Sequence, residues 1–509
     1  MTRAVDRRIP AGQPGRHQVP QPVDSVSRVT EDVPTSGGDA AVRLITPTGL
    51  RYLGLAGSVG VALSGVRPVG LLGVALLVGA WLGIRRVTEV RWLLVTAAWW
   101  ALPLLVAPPL FSGDAVAYAC QGDLLVHGLS PYRHGVADLP CRWLARMPEL
   151  WWHTTTPYGP LWVSLTGLAA AAGRWWLAVG VLRAVALAGI VLIIGYGLRL
   201  ARSIGAESLA RGQVPGDPGR VAWLGAASPL VLLHGVSGVH NDALLAGLVV
   251  AGLACAVDAR WGLRAGVLLG LAVAVKVTAL VAVPFAVLLV AKGRRPYPTV
   301  GPYPTVGPYL AVGAAVAGTF AAVTAATGLG VGWLGALSQT SNALIQWTSP
   351  PTGVGMAAGF VLRWTGRPEL QPIPLAVART LGLLALVVIL VRLWWTARDR
   401  PTAVRNAGAA LAATALLGPV FFPWYALVPL AVLSAAPQSA APLPERAWGW
   451  LGWLVAALAL IVLPDGRGVA SMTKPVGSFF DVALVSVLLV AWFRAWVRAA
   501  RARPTPTAS

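Results

Sequence analysis

Apolar and polar positions alternate in long blocks along most of the chain. Apolar stretches of about the length of one membrane crossing are separated by short segments rich in Arg, Gly and Pro. Because a crossing helix needs about 20 apolar residues, the pattern predicts an all-α polytopic transmembrane bundle of about 14 spans. The predicted spans are residues 49–66, 69–84, 91–110, 176–198, 221–237, 243–257, 263–275, 278–291, 309–328, 375–397, 403–419, 424–437, 447–463 and 476–496.

The composition excludes an ordinary soluble domain. Hydrophobic residues make up 56% of the 509 residues and charged residues only 12%, and the mean hydropathy is +0.68. Soluble proteins contain about 25% charged residues. Half that density leaves too little polar surface to keep this much apolar material in water.

The distribution of basic residues indicates how the chain is oriented. Lys and Arg number 40 against 19 Asp and Glu, which gives a net charge of +21. No basic helix or nucleic-acid motif collects them, so nucleic acid is not an expected partner. They gather after every second predicted span, for example at Arg85, Arg86 and Lys292. By the positive-inside rule, these loops and both termini are cytoplasmic in a multi-pass plasma-membrane protein.

One membrane domain is expected between two polar ends. Residues 1–48 mix Pro, Gly, Ser and both charge signs, which predicts a disordered cytoplasmic arm. The transmembrane domain then covers residues 49–498, and residues 499–509 form a cytoplasmic tail. A tandem PYPTVG repeat at residues 296–307 is interpreted as a Pro-rich spacer.

Two predicted outer loops are unusually long, residues 111–175 and residues 329–374. Long loops in compact proteins are often functional. The charge pattern requires the apolar run 158–172 to be an interfacial or re-entrant helix on the outer face rather than a span. It also splits residues 263–291 into a hairpin at Lys276.

Asp114 is the first candidate for chemistry. It stands at the start of a predicted helix that Gly128 would end. It either caps this helix or acts as a general base at the membrane face, with Tyr118 one turn further along the same helix face. Asp123 lies on another part of the helix and is expected to be solvated.

The rest of the first outer loop offers further candidates. Cys120 and Cys141 fit a single disulfide on an oxidising outer side, although spacing alone does not require one. The segment WWHTTTPYGPLW, which includes Tyr158, is either an aromatic belt or the wall of a sugar subsite. Residues 342–355 and 418–430 are similarly either interfacial loops or walls of a groove for a polyprenyl chain and a glycan.

Polar residues also occur at and within the predicted spans. His240, Asn241 and Asp242 lie at the outer mouth of a span, where they either cap the next helix or hold substrate hydroxyls. Lys276 and Arg183 are embedded in apolar sequence, which makes each a functional candidate for binding phosphate. Snorkelling is the alternative for Lys276. The histidines lack the spacing of a zinc motif, so no metal site is predicted and a divalent metal is left open.

Six segments in a fixed order carry a family resemblance: GDAVAYACQGDLLVHGLSPY, TTTPYGPLW, SPLVLLHGVSGVHNDALLAGL, AVKVTALVAVPF, WTSPPTGVG and GPVFFPWYALVPL. Together they resemble the polyprenol-phosphate-mannose-dependent α-1,6-mannosyltransferases of actinobacteria, which belong to the GT-C superfamily, over about residues 50–497. The resemblance implies a GT-C-like membrane fold, a polyprenyl-phosphate-mannose donor and a mannan or lipomannan acceptor of the cell envelope. It also maps the catalytic aspartate of the family onto Asp114.

Together with the candidate residues, the resemblance implies an inverting glycosyltransferase that forms α-1,6 links on the outer membrane face without a cofactor. A lipid-linked sugar flippase and a GT-C transferase for another pentose or hexose are the alternatives. A flippase would place polar residues in the middle of several spans, whereas here they gather at one face. The expected site consists of Asp114 as the base, Lys276 and Arg183 at the phosphate, and Tyr118, Tyr158, His240, Asn241 and Asp242 at the sugars.

Overall fold

A computed structural model describes residues 46–65, 67–258, 262–293, 306–438 and 445–501. The expected all-α class is confirmed, because these residues form α-helices joined by loops and short 3₁₀ or π segments. The α-helices are α1 (Pro47–Ala62), α2 (Arg67–Gly83), α3 (Val90–Val106), α4 (Asp114–Val126), α5 (Pro160–Ala171), α6 (Trp175–Ala210), α7 (Pro218–Gly225), α8 (Asp242–Val257), α9 (Gly262–Val275), α10 (Val283–Gly293), α11 (Val306–Thr327), α12 (Trp333–Ala343), α13 (Pro350–Trp364), α14 (Pro372–Thr396), α15 (Arg400–Leu417), α16 (Leu427–Ala435), α17 (Glu445–Leu460), α18 (Val469–Met472) and α19 (Lys474–Arg501).

The two polar ends stay predictions. Nearly all of the expected arm and most of the expected tail lie outside the described residues, as does most of the PYPTVG repeat. The described chain starts with a well-defined helix end, in which the Thr46 hydroxyl accepts a hydrogen bond from the Gly49 amide at 3.1 Å. Pro47 occupies the first turn of α1, where a missing N–H does no harm.

Five of the described helices are long and apolar enough to cross a membrane, judged by length and composition. A sixth span results if the π-helical segment Val231–Ser237 and α8, which meet at a bend of 109°, are counted as one broken crossing. Several other apolar helices have only 10–17 residues. The five helices confirm the membrane character, whereas the count of about 14 spans stays a prediction. The five are Arg67–Arg86, Trp175–Ala210, Tyr309–Thr327, Pro368–Thr396 and Lys474–Ala495.

Helix α8 is the buried centre of the bundle, with every residue from Asp242 to Val257 buried. It packs against the long helix α6 through glycines. A Cβ atom on Gly189 would clash with the backbone of Ala243, and one on Gly247 would clash with the backbone of Gly189. These glycines let the two backbones approach closely, as small residues do in membrane helix pairs. The close packing fixes the position of Asp242 at the start of α8.

The helix is interrupted at Lys276, as the sequence predicted. Helix α9 ends at Val275, and Lys276 has extended backbone angles before a 3₁₀ segment, Val277–Ala282, leads into α10. The break at Lys276 is therefore confirmed, and the orientation of the two halves in the membrane stays a prediction.

Both of the long loops that were predicted to lie outside contain helices. The first contains α4 and α5 with 3₁₀ turns between them, and a disulfide joins Cys120 on α4 to Cys141 in the connecting segment. Helix α5 has 12 residues, or about 18 Å, which is too short for the roughly 30 Å of hydrocarbon in a bilayer. This length agrees with the exclusion of residues 158–172 as a span. The second loop contains α12 and α13.

Candidate functional site

A cavity of about 600 Å³ collects most of the candidate residues. Its walls come from α4, α8, α12, α14, α15, α16, the loop before α5 and the break at Lys276. Five of the eight predicted site residues line it, namely Asp114, Tyr118, Tyr158, Asp242 and Lys276. Its polar wall also includes Gln121, Thr154, Thr155, Thr278, Ser338, Thr340, Ser341 and Thr414, and its apolar wall includes Leu337, Leu344, Leu383, Leu386, Leu411, Val428 and Pro429.

Asp114 is the first residue of α4. Gly113 is its N-cap residue and makes no side-chain cap bond. The expectation that Asp114 itself caps the helix is therefore wrong, since its own amide belongs to the first turn and donates to the Ser112 hydroxyl at 2.9 Å. Its carboxylate instead lies at the cavity, where the Tyr118 hydroxyl donates to Oδ2 at 3.5 Å.

The pKa of Asp114 lies below its ordinary value. Burial raises the pKa, but contacts with His240 and Ser112 and the charge of Lys276 lower it further than burial raises it. The carboxylate is therefore ionised at neutral pH. Burial, reinforced by the charge of Asp114, raises the pKa of Tyr118 and of Tyr158 well above the ordinary value. Both phenols stay protonated and remain hydrogen-bond donors.

Asp242 and Lys276 form an ion pair in the cavity. The Lys276 ammonium lies 2.9 Å from Oδ1 and 3.1 Å from Oδ2 of Asp242. The same ammonium lies 3.9 Å from the centre of the Tyr425 ring, in a cation–π contact. Asp242 begins α8 without serving as its cap, because Asn241 is the N-cap residue and makes no side-chain cap bond. A cation is thus fixed beside the cavity by a carboxylate and an aromatic face.

His240 and Asn241 lie behind the cavity and are 1% exposed. The His240 ring stacks on Trp424 with ring centres 3.7 Å apart, and its Nδ1 lies 3.3 Å from Oδ2 of Asp114. Neither His240 nor Asn241 is among the residues that line the cavity. The structure therefore brings His240 to the carboxylate of Asp114 rather than to the open space.

Arg183 lies apart from the cavity lining. Its guanidinium donates hydrogen bonds of 2.6 Å to the carbonyl oxygens of Leu105 and Ala107. These carbonyls lie at the C-terminal end of α3, where Pro108 and Pro109 have no N–H to donate and the helix stops. Arg183 was predicted to bind phosphate. In the structure its guanidinium instead donates hydrogen bonds to carbonyl groups at the end of α3.

The predicted groove segments at residues 342–355 and 418–430 are bound to each other by hydroxyl groups. Ser349 donates to the Gly418 carbonyl at 2.6 Å, Thr352 to the Pro419 carbonyl at 2.7 Å, and Thr348 to the Phe421 carbonyl at 2.7 Å. Gly418 and Pro419 line the cavity. The two segments therefore form one continuous wall.

Arg379 on α14 is a residue that the sequence analysis missed. It donates to the carbonyls of Ser341 and Leu344 at 3.0 and 2.9 Å and to the Thr352 hydroxyl at 3.0 Å. A weaker bond of 3.4 Å reaches the Pro419 carbonyl. The signal was present, because Arg379 is a charge within a predicted span, as Arg183 is.

Asp123 is buried, contrary to the expectation that it is solvated. It is 7% exposed and lies near His127, 3.9 Å from its Nδ1. The disulfide and a 2.9 Å hydrogen bond from the Thr156 hydroxyl to the Gln121 amide oxygen hold the segment after α4 against that helix and cover part of its surface. Sequence alone does not reveal this cover.

No metal site is evident in the part of the chain that the structure describes. These residues contain no group of three or more His, Cys, Asp or Glu side chains arranged to hold an ion. His134 instead pairs with Asp138 at 3.1 Å.

Comparison with known proteins identifies two matching regions. Residues 43–292 match the family described as alpha-(1->6)-mannopyranosyltransferase, N-terminal domain, and residues 351–495 match the MptB C-terminal domain. Alpha-(1->6)-mannopyranosyltransferase A of Mycobacterium tuberculosis is 33% identical over 77% of this chain and 75% of its own length. Alpha-(1->6)-mannopyranosyltransferase A of Corynebacterium glutamicum is 28% identical over 77% of this chain and 83% of its own length. No solved structure matches the chain.

Proposed function

The chain belongs to the alpha-(1->6)-mannopyranosyltransferase family, and from this premise we propose how its cavity acts. The protein is a mannosyltransferase that takes mannose from a polyprenyl-phosphate donor and adds it to a mannan or lipomannan acceptor through an α-1,6 link. The observation that carries this proposal is one cavity with a carboxylate, Asp114, and a cation, Lys276, in its lining.

Asp114 serves as the general base. Its ionised carboxylate takes the proton of the acceptor 6-hydroxyl while that oxygen bonds to the anomeric carbon of the donor mannose. The bond from this carbon to the phosphate oxygen breaks at the same time, and the polyprenyl phosphate leaves with the electron pair. Attack from the face opposite the leaving group inverts the anomeric centre. A positioned base typically accelerates such a step 10²- to 10⁴-fold.

Lys276 binds the donor phosphate. The leaving group gains negative charge as its bond to carbon breaks, so a fixed cation beside it stabilises the transition state more than the ground state. The contacts with Asp242 and Tyr425 hold the ammonium in place before substrate arrives. Asp242, Tyr118 and Tyr158 offer acceptors and donors for sugar hydroxyls in the same lining.

The remaining lining residues suit the polyprenyl chain of the donor and the glycan chain of the acceptor. Leu383, Leu386 and Leu411 give an apolar wall for the polyprenyl chain, and Thr154 and Ser341 belong to a hydroxyl-bearing wall for the glycan. Leu383 is 45% exposed on the outward apolar face of α14, so the apolar wall reaches the surface that lipid would cover.

We place the site on the outer side of the plasma membrane, with both termini in the cytoplasm. The Cys120–Cys141 disulfide supports this orientation, because disulfides persist on the oxidising side of a membrane. The positive-inside pattern of the loops agrees with it.

A reconstituted transfer assay tests the function. The purified protein in lipid vesicles receives polyprenyl-phospho-mannose and an α-1,6-mannose oligomer, and the products are read by mass spectrometry and by NMR of the new anomeric proton. Elongation by α-1,6-linked mannose supports the proposal. Movement of the donor between leaflets without a new glycosidic bond would identify a flippase, and transfer from a different lipid-linked sugar alone would reassign the donor.

A further inference from the structure

Two strained backbone positions lie close in sequence to the site, one shortly before the candidate base and one directly before a neighbouring histidine. Within the described ranges, only Phe111 and Val239 are non-glycine residues with positive φ angles, 66° and 51°. Bulky and β-branched side chains rarely adopt this conformation. Such strain persists only where the surrounding structure enforces it, and it concentrates at functional sites. Phe111 precedes Asp114 by three residues, and Val239 directly precedes His240.

Asp114 and His240 are brought together from segments far apart in the chain. His240 Nδ1 and the Tyr118 hydroxyl both approach the same carboxylate oxygen, Oδ2, at 3.3 and 3.5 Å. The Tyr118 hydroxyl makes a long hydrogen bond, whereas His240 Nδ1 lies within reach of Oδ2 without an aligned hydrogen bond. Catalytic pairs in unliganded structures are often long or poorly aligned, and they tighten when substrate binds. The His240 side chain is fully buried and held by its stack on Trp424, which itself stacks on Phe422.

We propose that His240 is a positioning residue that orients the Asp114 carboxylate through Oδ2 and thereby presents Oδ1 to the acceptor hydroxyl. The inference rests on the proposed function, in which Asp114 is the base. The acceptor proton moves to Oδ1, and His240 keeps its own Nδ1 proton throughout. His240 contacts no sugar in this account, which replaces the sugar-contacting role predicted from the sequence.

The electrostatic surroundings of Asp114 predict a second effect. Contact with His240 lowers the pKa of Asp114 against the opposing effect of burial. Loss of the contact therefore moves the acid limb of the kcat/KM profile to higher pH. The other titratable or charged groups around this pair are Tyr118 on α4, Tyr158 before α5, His234 on the π-helical segment, Asp242 on α8, Lys276 at the chain break and Tyr425 after α15.

Two substitutions separate the donated proton from the aromatic stack. His240→Phe keeps a ring against Trp424 but removes the donor at Nδ1. His240→Asn removes the ring but places an amide N–H near the former Nδ1 position. Both variants are compared with the wild type and with Asp114→Asn in the vesicle transfer assay over a pH series. Thermal melting in detergent reports on folding.

We expect His240→Phe to lower kcat about 10- to 100-fold, as befits loss of a hydrogen bond to a charged group. Its KM for the donor stays near the wild-type value, its acid limb shifts to higher pH, and His240→Asn recovers much of kcat. The inference would be overturned if His240→Phe kept its kcat and its acid limb did not shift, while His240→Asn was less active. That result would assign a packing role to the ring. Wild-type transfer and its loss in Asp114→Asn test the proposed function in the same assay, so the two failures remain distinguishable.

Discussion

The Lys276 ammonium lies 2.9 and 3.1 Å from the two carboxylate oxygens of Asp242 and donates a hydrogen bond to each. Lys276 follows the end of α9 and Asp242 begins the buried helix α8. The pair is nearly neutral as a whole, so the lysine is held in an apolar setting without an uncompensated charge. In the proposed mechanism, the donor phosphate would meet a cation that is already oriented.

Lys276→Met should raise the donor KM about 10- to 100-fold, because a charge-assisted hydrogen bond to the phosphate is lost. It should also lower the melting temperature, since Asp242 becomes a buried carboxylate without a partner. The double variant Lys276→Met/Asp242→Asn should recover the melting temperature and keep the high donor KM. Steady-state kinetics and thermal melting of both variants measure this, and a donor KM that recovers with stability would remove Lys276 from the phosphate site. Lys292→Gln is the control, because Lys292 lies outside the cavity lining and donates to the Arg398 carbonyl.

The glycine contact between α6 and α8 can be tested with a matched pair on α6. Gly189→Ala places a methyl group against the backbone of Ala243 and forces the helices apart, at a cost of about 1–3 kcal/mol. The melting temperature and the transfer rate should both fall, because α8 begins with Asp242 and directly follows the segment that holds His240. Gly195→Ala meets open space on the same helix and should be neutral or slightly stabilising. Equal melting temperatures for the two variants would show that the close packing is unimportant.

The Cys120–Cys141 disulfide can be tested by counting the cysteines that react with a thiol reagent. Its two cysteines are 21 residues apart, so the bridge should contribute about 3 kcal/mol by restricting the unfolded chain. In denatured, unreduced protein purified from cells, only Cys255 should react with a maleimide, and reduction should add two reactive thiols. Mass spectrometry of the alkylated peptides measures this. Three reactive thiols without reduction would contradict both the bridge and the oxidising location.

Arg379 should affect substrate binding, because it joins segments that form one wall of the cavity. Arg379→Gln removes a charged donor from the carbonyls of Ser341 and Leu344, which frees the α12 end from the wall at Pro419. We expect the KM of a substrate to rise about 10-fold or more, with a smaller effect on kcat and partial retention in Arg379→Lys. Arg392→Gln is the matched control, since Arg392 is exposed on the same helix. Equal kinetics of the two glutamine variants would argue against the wall's role.

Local features of this fold were predictable from the sequence. Hydropathy predicted a helical membrane protein, Gly128 marked the end of α4, and a charge within an apolar run marked the chain break at Lys276. These signals lie within a few residues of the structure that they determine. Asp114, Asp242 and Lys276 were found because carboxylates and lysines are scarce in such a chain.

Contacts between distant segments were not predictable in the same way. The burial of Asp123 and the contact of Arg183 with the end of α3 depend on how separate helices meet. The same holds for His240, which a local pattern placed among sugar contacts and tertiary packing places behind Asp114. Single-sequence patterns identify polar residues near a membrane face, but they do not show which of them face open space.

The Asp114 carboxylate is proposed as the base of the transfer reaction, and one substitution tests this role directly. Asp123→Asn is the matched control, because Asp123 lies on the same helix, is similarly buried and does not line the cavity. The decisive measurement is kcat for mannose transfer from polyprenyl-phospho-mannose by Asp114→Asn and Asp123→Asn proteins of equal melting temperature. We expect kcat to fall 10²- to 10⁴-fold in Asp114→Asn and to stay near the wild-type value in Asp123→Asn. A folded Asp114→Asn protein with wild-type kcat would contradict the proposed role.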